Sequence, residues 1–340
     1  MTGSQDAALT ALNRRDFLRR LAGASVLAAT AGGLGYLLGD ATGPAAGPGR
    51  ATKPGLGDFT VAAATAGQPG LAEVHGIDRA AMFAAAVSAL GGLERYVAKG
   101  DTVLVKVNAV IASPPVLGAT THPDLLAAVV KACRAAGAAR ILVTDNPINA
   151  PQACFEVSGL AGAARQAEAV VVMPRPDFFS PVSLPGGRLL RDWPVMAGAL
   201  AGVTKVIVLS QVKDHARAGA SMSLKNLYGL LGGRRNVFHQ DINGIIAELG
   251  RLIRPTLFVL DGVVSMMTNG PTGGSLSDLK ATGTMIVSAD PVATDALGAG
   301  LLGRAPDDLP YLRLAQAAGV GTLDVASLRP VTVNTEPTAS

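Results

Sequence analysis

Thr102-Val-Leu-Val-Lys-Val-Asn108, Thr121-His-Pro-Asp124 and Arg140-Ile-Leu-Val-Thr-Asp-Asn146 decide the fold. The first and last of these are short apolar runs, each ending on a polar side chain, and they read as buried strands. Between them Thr121 is placed to cap a helix that has Pro123 in its first turn, where the missing N–H of proline does no harm. That helix is predicted to run to about Ala136 and stop at Gly137. Strand, helix and strand with short links make the βαβ unit of a parallel sheet. Ala112 to Thr120 stays outside the helix, because Pro114 and Pro115 lack donors and fix φ.

The same alternation continues in both directions. Upstream, Phe59 to Ala64 reads as a first strand, and a helix spans about Asp78 to Val97 with an interruption near Gly91-Gly92. Downstream come a helix over about Ala150 to Ala167, a strand at Ala169 to Met173, and a hairpin or irregular connection over 176–196 around Trp193. Val206 to Leu209 is a buried strand leading into a polar loop with Lys213, Asp214 and His215. A helix then opens near Ser221 or Ser223 and is stopped by Gly232-Gly233. Asn236 to Ile253 is helical, Thr256 to Asp261 and Gly283 to Ser288 are strands, and helices reach about Leu302 and Ala318 before a last strand near Val331. The prediction is α/β: a mostly parallel sheet flanked by helices. It covers 57–335 as one domain, or as two closely packed sub-lobes at about 57–200 and 201–335. With 340 residues, 49% of them hydrophobic, the chain can bury a large core.

The formal charge of +4 invites a nucleic-acid reading, which its distribution excludes. Residues 1–50 hold Arg14, Arg15, Arg19, Arg20 and Arg50 against Asp6, Asp16 and Asp40. That leaves 24 of 29 basic and 22 of 25 acidic residues in the remainder, an excess of two, with no basic stripe interleaved with aromatics. Two cysteines, Cys133 and Cys154, read as small core residues that an oxidising compartment could pair; they cannot hold an iron–sulfur cluster alone.

Asn13-Arg-Arg-Asp-Phe-Leu-Arg-Arg20 is a twin-arginine motif, followed by a weakly apolar run, Leu21 to Gly39, and a Pro/Gly-rich segment containing Pro44-Ala-Ala46. Together they make residues 1–50 an export signal and linker, so the twin-arginine translocase is the expected partner during export. The destination is periplasmic or otherwise extracytoplasmic, with anchoring if the roughly 19-residue run stays uncleaved. No membrane span is expected in the mature body.

Polar residues recur at predicted strand ends: Asn108, Asp145, Asp261 and Asp290. In parallel α/β sheets the ligand crevice lies outside the carboxyl ends of the strands. A small anionic substrate or cofactor fits there, bound by Lys213, Ser223, Lys225, Asn226 and Asn269, with the N–H groups of the helix start near Ser221–Ser223 as further donors. Lys106, His215, Asp261 and Asp295 are the candidate acid–base groups; Lys106 reads equally as a partner of Asp145. A divalent metal is a second expectation, with His215, His239, Asp261 and Asp290 as candidate ligands, although Asp290 also suits a helix cap. The phosphate loop, the dinucleotide fingerprint and the Gly-x-Ser-x-Gly elbow are missing. Enzyme, non-catalytic binding or accessory protein, and metal- or redox-associated protein remain as readings.

In order, Val103–Asn108, Ala119-Thr-Thr-His-Pro123, Gly137–Val143, Lys213-Asp-His215, Ser223-Leu-Lys-Asn-Leu-Tyr-Gly229, His239, Val259–Gly262, Asn269-Gly-Pro271 with Gly273, and Ala289–Asp295 resemble the uncharacterised domain-of-unknown-function 362 family over about 58–335. The resemblance implies a shared fold and no settled activity. Some members of that family carry ferredoxin-like cysteine motifs; this chain has none. The strand–Thr-His-Pro–helix start is also similar to the amino-terminal half of nickel-pincer lactate racemases, but their Asp-His-Thr-Arg-Pro motif is absent here, which limits that likeness to the fold.

Overall fold

In the computed structural model, which describes residues 55–62 and 67–335, the apolar runs become strands of one nine-stranded sheet. The strands are β1 (Leu71–His75), β2 (Thr102–Lys106), β3 (Arg140–Thr144), β4 (Val170–Val171), β5 (Lys205–His215), β6 (Gly219–Ser221), β7 (Leu257–Met266), β8 (Leu279–Ser288) and β9 (Val331–Asn334). Their order is β9-β1-β8-β7-β5-β2-β3-β4, with β6 folded back onto the end of β5. Along that path only β8 runs antiparallel to its neighbours, so the sheet is mostly parallel. The predicted export segment lies outside the described residues.

Helices cover both faces. They are α1 (Arg79–Ala89), α2 (Pro123–Ala135), α3 (Pro151–Val157), α4 (Leu160–Gln166), α5 (Ser223–Asn226), α6 (Ile242–Leu252), α7 (Pro291–Leu301) and α8 (Pro310–Ala317). Phe83, Leu125, Val129 and Leu160 pack with Val103, Val105, Ile207 and Val259 on one face. Ile245, Leu249, Val292 and Tyr311 pack with Leu104, Val206, Phe258 and Leu260 on the other. A strand covered on both sides needs an unbroken apolar run rather than alternation, which is why β5 and β7 are so legible in the sequence. Strands from residues 57–200 and 201–335 meet where β2 pairs with β5, so the two segments share one sheet.

Several elements differ from their prediction. Phe59 to Ala62 forms no strand, because Asp58 Oδ1 accepts from the Thr60 amide and hydroxyl and bends the chain there; Ala63 and Ala64 lie outside the described residues. The strand beside β8 is β1, whose Glu73 and His75 break the apolar pattern. Lys213, Asp214 and His215 belong to β5 rather than to a loop, since the hairpin with β6 extends it. The helix over 150–167 is broken at Gly159, a glycine with φ +74. Thr121 does not cap α2: His122 does, accepting from the Asp124 amide, while the Thr121 hydroxyl accepts from Asn108 N and donates to Leu209 O.

Strand direction corrects one wall of the expected crevice. Because β8 is antiparallel, its last residue, Ser288, pairs with Phe258 and Leu71, at the amino edge of the sheet. Asp290 therefore stands at the edge opposite Lys106 and Asp145. There it caps α7, accepting from the amides of Val292, Ala293 and Thr322.

Beyond their last pair, Lys106 with Val208, β2 ends and β5 continues to His215. The chain after β2 crosses one face through α2, and the chain after β5 crosses the other through α5 and α6. The crevice between these two strands is thus a topological switch point, where α/β sheets take ligands. Asp295, fully buried on α7, holds α5 over it by accepting from Ser223 N and Leu224 N at 2.8 and 3.1 Å, and it faces the Tyr311 hydroxyl. Replacing Asp295 with Ala strands two buried donors and is expected to cost roughly 2–5 kcal/mol. Asp295→Asn, which keeps one acceptor, should cost less, and thermal or urea melts of the two variants check the order.

Candidate functional site

The crevice is built on a buried ion pair. Lys106 Nζ lies 2.8 Å from Asp145 Oδ1 and also donates to Val107 O and to Asn226 Oδ1. Asp145 additionally accepts from the amides of Ala109 and Asn146. The turn after α5 passes so close that a Cβ on Gly229 would meet Asp145 Oδ1 at 2.0 Å. Of the two readings open for Lys106, the structure gives the ion pair with Asp145. Its amine is held below the usual lysine range, first by burial and against the pull of Asp145.

Around this pair stand three further cations. Lys213, on β5, is buried and donates to Ala119 O at 2.6 Å. Lys225, on α5, is buried and lies over the Tyr228 ring, its ammonium 5.4 Å from the centroid. Arg235 spends its guanidinium on the carbonyls of Tyr228, Leu231 and Asn146. Among the described residues, neither Lys213 nor Lys225 has a carboxylate partner, and Lys225 Nζ has no hydrogen-bond acceptor. Burial, then the neighbouring Lys225 charge, takes the Lys213 amine down to about 7. Burial, then Arg235, takes Lys225 down to about 8.

Two histidines stack beside the lysines, with ring centroids 6.0 Å apart and planes at 17°. His215 Nδ1 accepts from the amides of Arg217 and Ala218, which puts the proton of the neutral ring on Nε2. Burial and the charge of Lys225 keep it neutral, with a pKa near 3. His239 Nδ1 lies 3.1 Å from Asn236 O, so that nitrogen carries the hydrogen and Nε2 keeps the lone pair. Tyr228 stands edge-on to His239, its hydroxyl donating to Arg235 O.

The remaining sequence candidates fall in other places. Asn226 is in the crevice with its amide used: Oδ1 takes Lys106 and Nδ2 donates to Leu209 O at 2.9 Å. Ser223 heads α5, and the helix-start donors expected to meet the ligand are taken by Asp295. Asp261 lies in the middle of β7 rather than at its end, and on the other face of the sheet from Lys106, where it receives Arg79 Nε at 2.6 Å. Asn269 donates to Asp278 within its own loop. That loop presses on β5, since a Cβ on Gly270 would meet Asp214 O at 1.9 Å. Of the four proposed metal ligands His215 and His239 lie together while Asp261 and Asp290 lie elsewhere, and among the described residues no three His, Cys, Asp or Glu side chains converge. Cys133 and Cys154 are free and buried.

Sequence reasoning missed Gln211, Tyr228 and Arg79. Gln211 is buried within β5, in register with Asp261 and on the same face of the sheet, with neither amide atom hydrogen-bonded. Its signal is the polar pair Ser210-Gln211 inside an otherwise apolar strand. A buried amide without partners is costly and marks a place where a ligand or water completes the bonding.

The family model described as Domain of unknown function (DUF362) matches residues 103–300, more than half of the chain, and the chain belongs to that family. It is also similar to the thylakoid-associated protein sll1697 of Synechocystis sp., with 25% identity over 244 residues, covering 68% of this chain and 72% of the relative. The matched span contains the crevice lysines, both histidines and Asp145.

The two lysines make stability depend on pH in a defined direction. Their folded pKa values, about 7 and about 8, lie below the ordinary lysine value. Above about pH 7 the unfolded chain therefore holds protons that the folded protein has shed, and ligand-free stability should rise from there to about pH 8.5, above which the buried thiols of Cys133, pushed up to about 12, and Cys154 oppose the gain. Thermal melts from about pH 7 to about 8.5 check it. A flat or falling profile there would count against the depressed lysine values.

Proposed function

We propose that this protein binds a small anionic ligand, carrying a carboxylate or phosphate, at the β2–β5 crevice and acts on it as an enzyme. The observation that carries the reading is Lys225: a largely buried lysine whose ammonium has no acceptor and opens to the crevice, in a cluster of four cations whose one close carboxylate among the described residues, Asp145, already serves Lys106. A buried charge without a counter-ion is expensive, and an anionic ligand removes that cost. Lys213 and Lys225 would bind the negative group. His215 Nε2–H would serve as a donor and the His239 Nε2 lone pair as a base, within a site whose pKa values are shifted by burial. In this reading Asp261 and Asp295 support the scaffold.

A metal ion is not needed for this binding. With its donors dispersed and its centre cationic, the site would take a divalent cation only together with an anion. Export through the twin-arginine route is part of the proposal, supported by Arg14-Arg15 and the apolar run after them. The name of the Synechocystis relative, a thylakoid-associated protein, is compatible with an extracytoplasmic location. Among the described residues no helix is long and apolar enough to cross a membrane.

Lys225→Met tests the reading in two directions. Because this charge gains no counter-ion in the fold, its removal should leave the ligand-free protein as stable or more stable, the opposite of breaking an ion pair. The same variant should lose the stabilisation that phosphate, sulfate or small di- and tricarboxylates confer on the parent in thermal-shift assays. Destabilisation without ligand, or an unchanged response to all the anions, would remove Lys225 as the anchor. Native mass spectrometry of the exported protein, with and without the substitution, would identify any co-purified anion or metal.

A further inference from the structure

We propose that the carboxyl-edge face of the sheet docks on an anionic lipid surface, its apolar loop tips entering the headgroup layer around the cationic crevice. Of eight large hydrophobic side chains exposed among the described residues, five stand on loops at this edge. Ile77 (71% exposed) follows β1, Val116 (63%) lies between β2 and α2, and Ile148 (68%) lies between β3 and α3. Leu276 (60%) sits in the turn between β7 and β8. Val237 lies between α5 and α6, in the segment that Arg235 ties to Asn146 O on this edge. Five strands and one helical segment thus deliver isolated apolar tips to one side of the molecule.

Charge on this side is complementary to an anionic surface. Arg217, in the β5–β6 turn, Arg234 and Lys280 are exposed here, and none has a carboxylate partner among the described residues. Most carboxylates of the same edge are engaged. Asp78 caps α1, Asp214 is held by Arg304, and Asp278 is buried within its loop. Asp124, beside His122, and Asp307 and Asp308, near the β5–β6 turn, are exposed acids on this side, with Asp307 held by Arg313 and Asp308 accepting from the Ala305 amide.

The pattern favours lipid over a protein partner. Protein interfaces concentrate their apolar contacts in a central core with a polar rim. Here the order is reversed: apolar tips surround a cationic centre. Separate tips entering the headgroup layer, with cations at the level of the phosphates, suit a membrane surface, where apolar insertion and attraction to anionic lipid add.

The test uses the full chain and vesicles of phosphatidylcholine with or without phosphatidylglycerol. The run Leu21 to Gly39 could tether the chain by itself, so the readout must be position-specific. A fluorophore is placed on Val116→Cys, on Ile148→Cys, or on Lys99→Cys, which is exposed at the opposite edge; the native thiols are buried and react poorly. With phosphatidylglycerol present, a lipid-borne quencher should quench the labels at 116 and 148 but not the label at 99, and added salt should weaken the effect. Combining Ile77→Ser, Ile148→Ser and Leu276→Ser should lower the quenching of the label at 116 severalfold. Equal quenching at all three positions, as tethering through the N-terminal run alone would give, overturns the proposal. So does a triple variant whose label at 116 is quenched like the parent's.

Discussion

The Lys106–Asp145 pair is the contact on which the crevice depends. It joins the ends of β2 and β3, receives Asn226 from α5, and lies against Gly229 in the turn that follows. Three chain segments distant in sequence are thereby fixed at one point. Such a pair tolerates no loss of either partner, because the survivor would be a buried, unpaired charge. Among the described residues it also consumes the carboxylate close to the lysines. The excess positive charge of the crevice follows directly: with Asp145 committed, neither Lys213 nor Lys225 has a carboxylate partner among those residues.

Asp295 performs the second fixed task. A helix as short as α5 gains little from its own hydrogen bonds, since nucleation costs more than four residues return. Its conformation is imposed from outside, by a carboxylate that takes both leading amides and by the burial of Leu224 and Leu227. Lys225 is consequently presented on a rigid turn rather than on a mobile loop, the kind of support that precise binding needs. The cost appears in Asp295 itself, whose carboxyl is pushed up to about 7 by complete burial despite hydrogen bonds from Ser223, Leu224 and Tyr311.

How much of this the sequence discloses depends on which physical signal was local. The buried strands around Val103–Val105, Ile141–Val143 and Val206–Leu209 were legible because two-sided burial demands continuous apolar runs. The lysines of the site were legible because a charge inside such a run is conspicuous. Lys106 as an ion pair with Asp145 could be named as an alternative but not chosen, since pairing is a long-range fact. Asp290 went to the wrong edge because strand direction is not written in the strand: β8 carries the same apolar signature as its parallel neighbours. Asp261 faces away from Lys106 because side chains alternate along β7, Val259 and Leu260 packing on opposite faces, and a run that is apolar on both sides does not disclose which set faces the crevice. β1 was missed because Glu73 and His75 mask its alternation.

The histidine pair adds a property that neither ring has alone. Backbone groups fix both tautomers, so one Nε2 bears a hydrogen and the other a lone pair without either ring being charged. The lysines enforce that neutrality, since a second or third positive charge in the same buried space depresses every pKa around it. On the proposed reading, an arriving anion reverses the sign of this coupling. It raises the pKa values of Lys213 and Lys225 towards their ordinary range, so that near neutral pH binding draws in protons. Occupancy and protonation of the crevice then become one equilibrium, and the site binds anions most tightly where its lysines can still be charged.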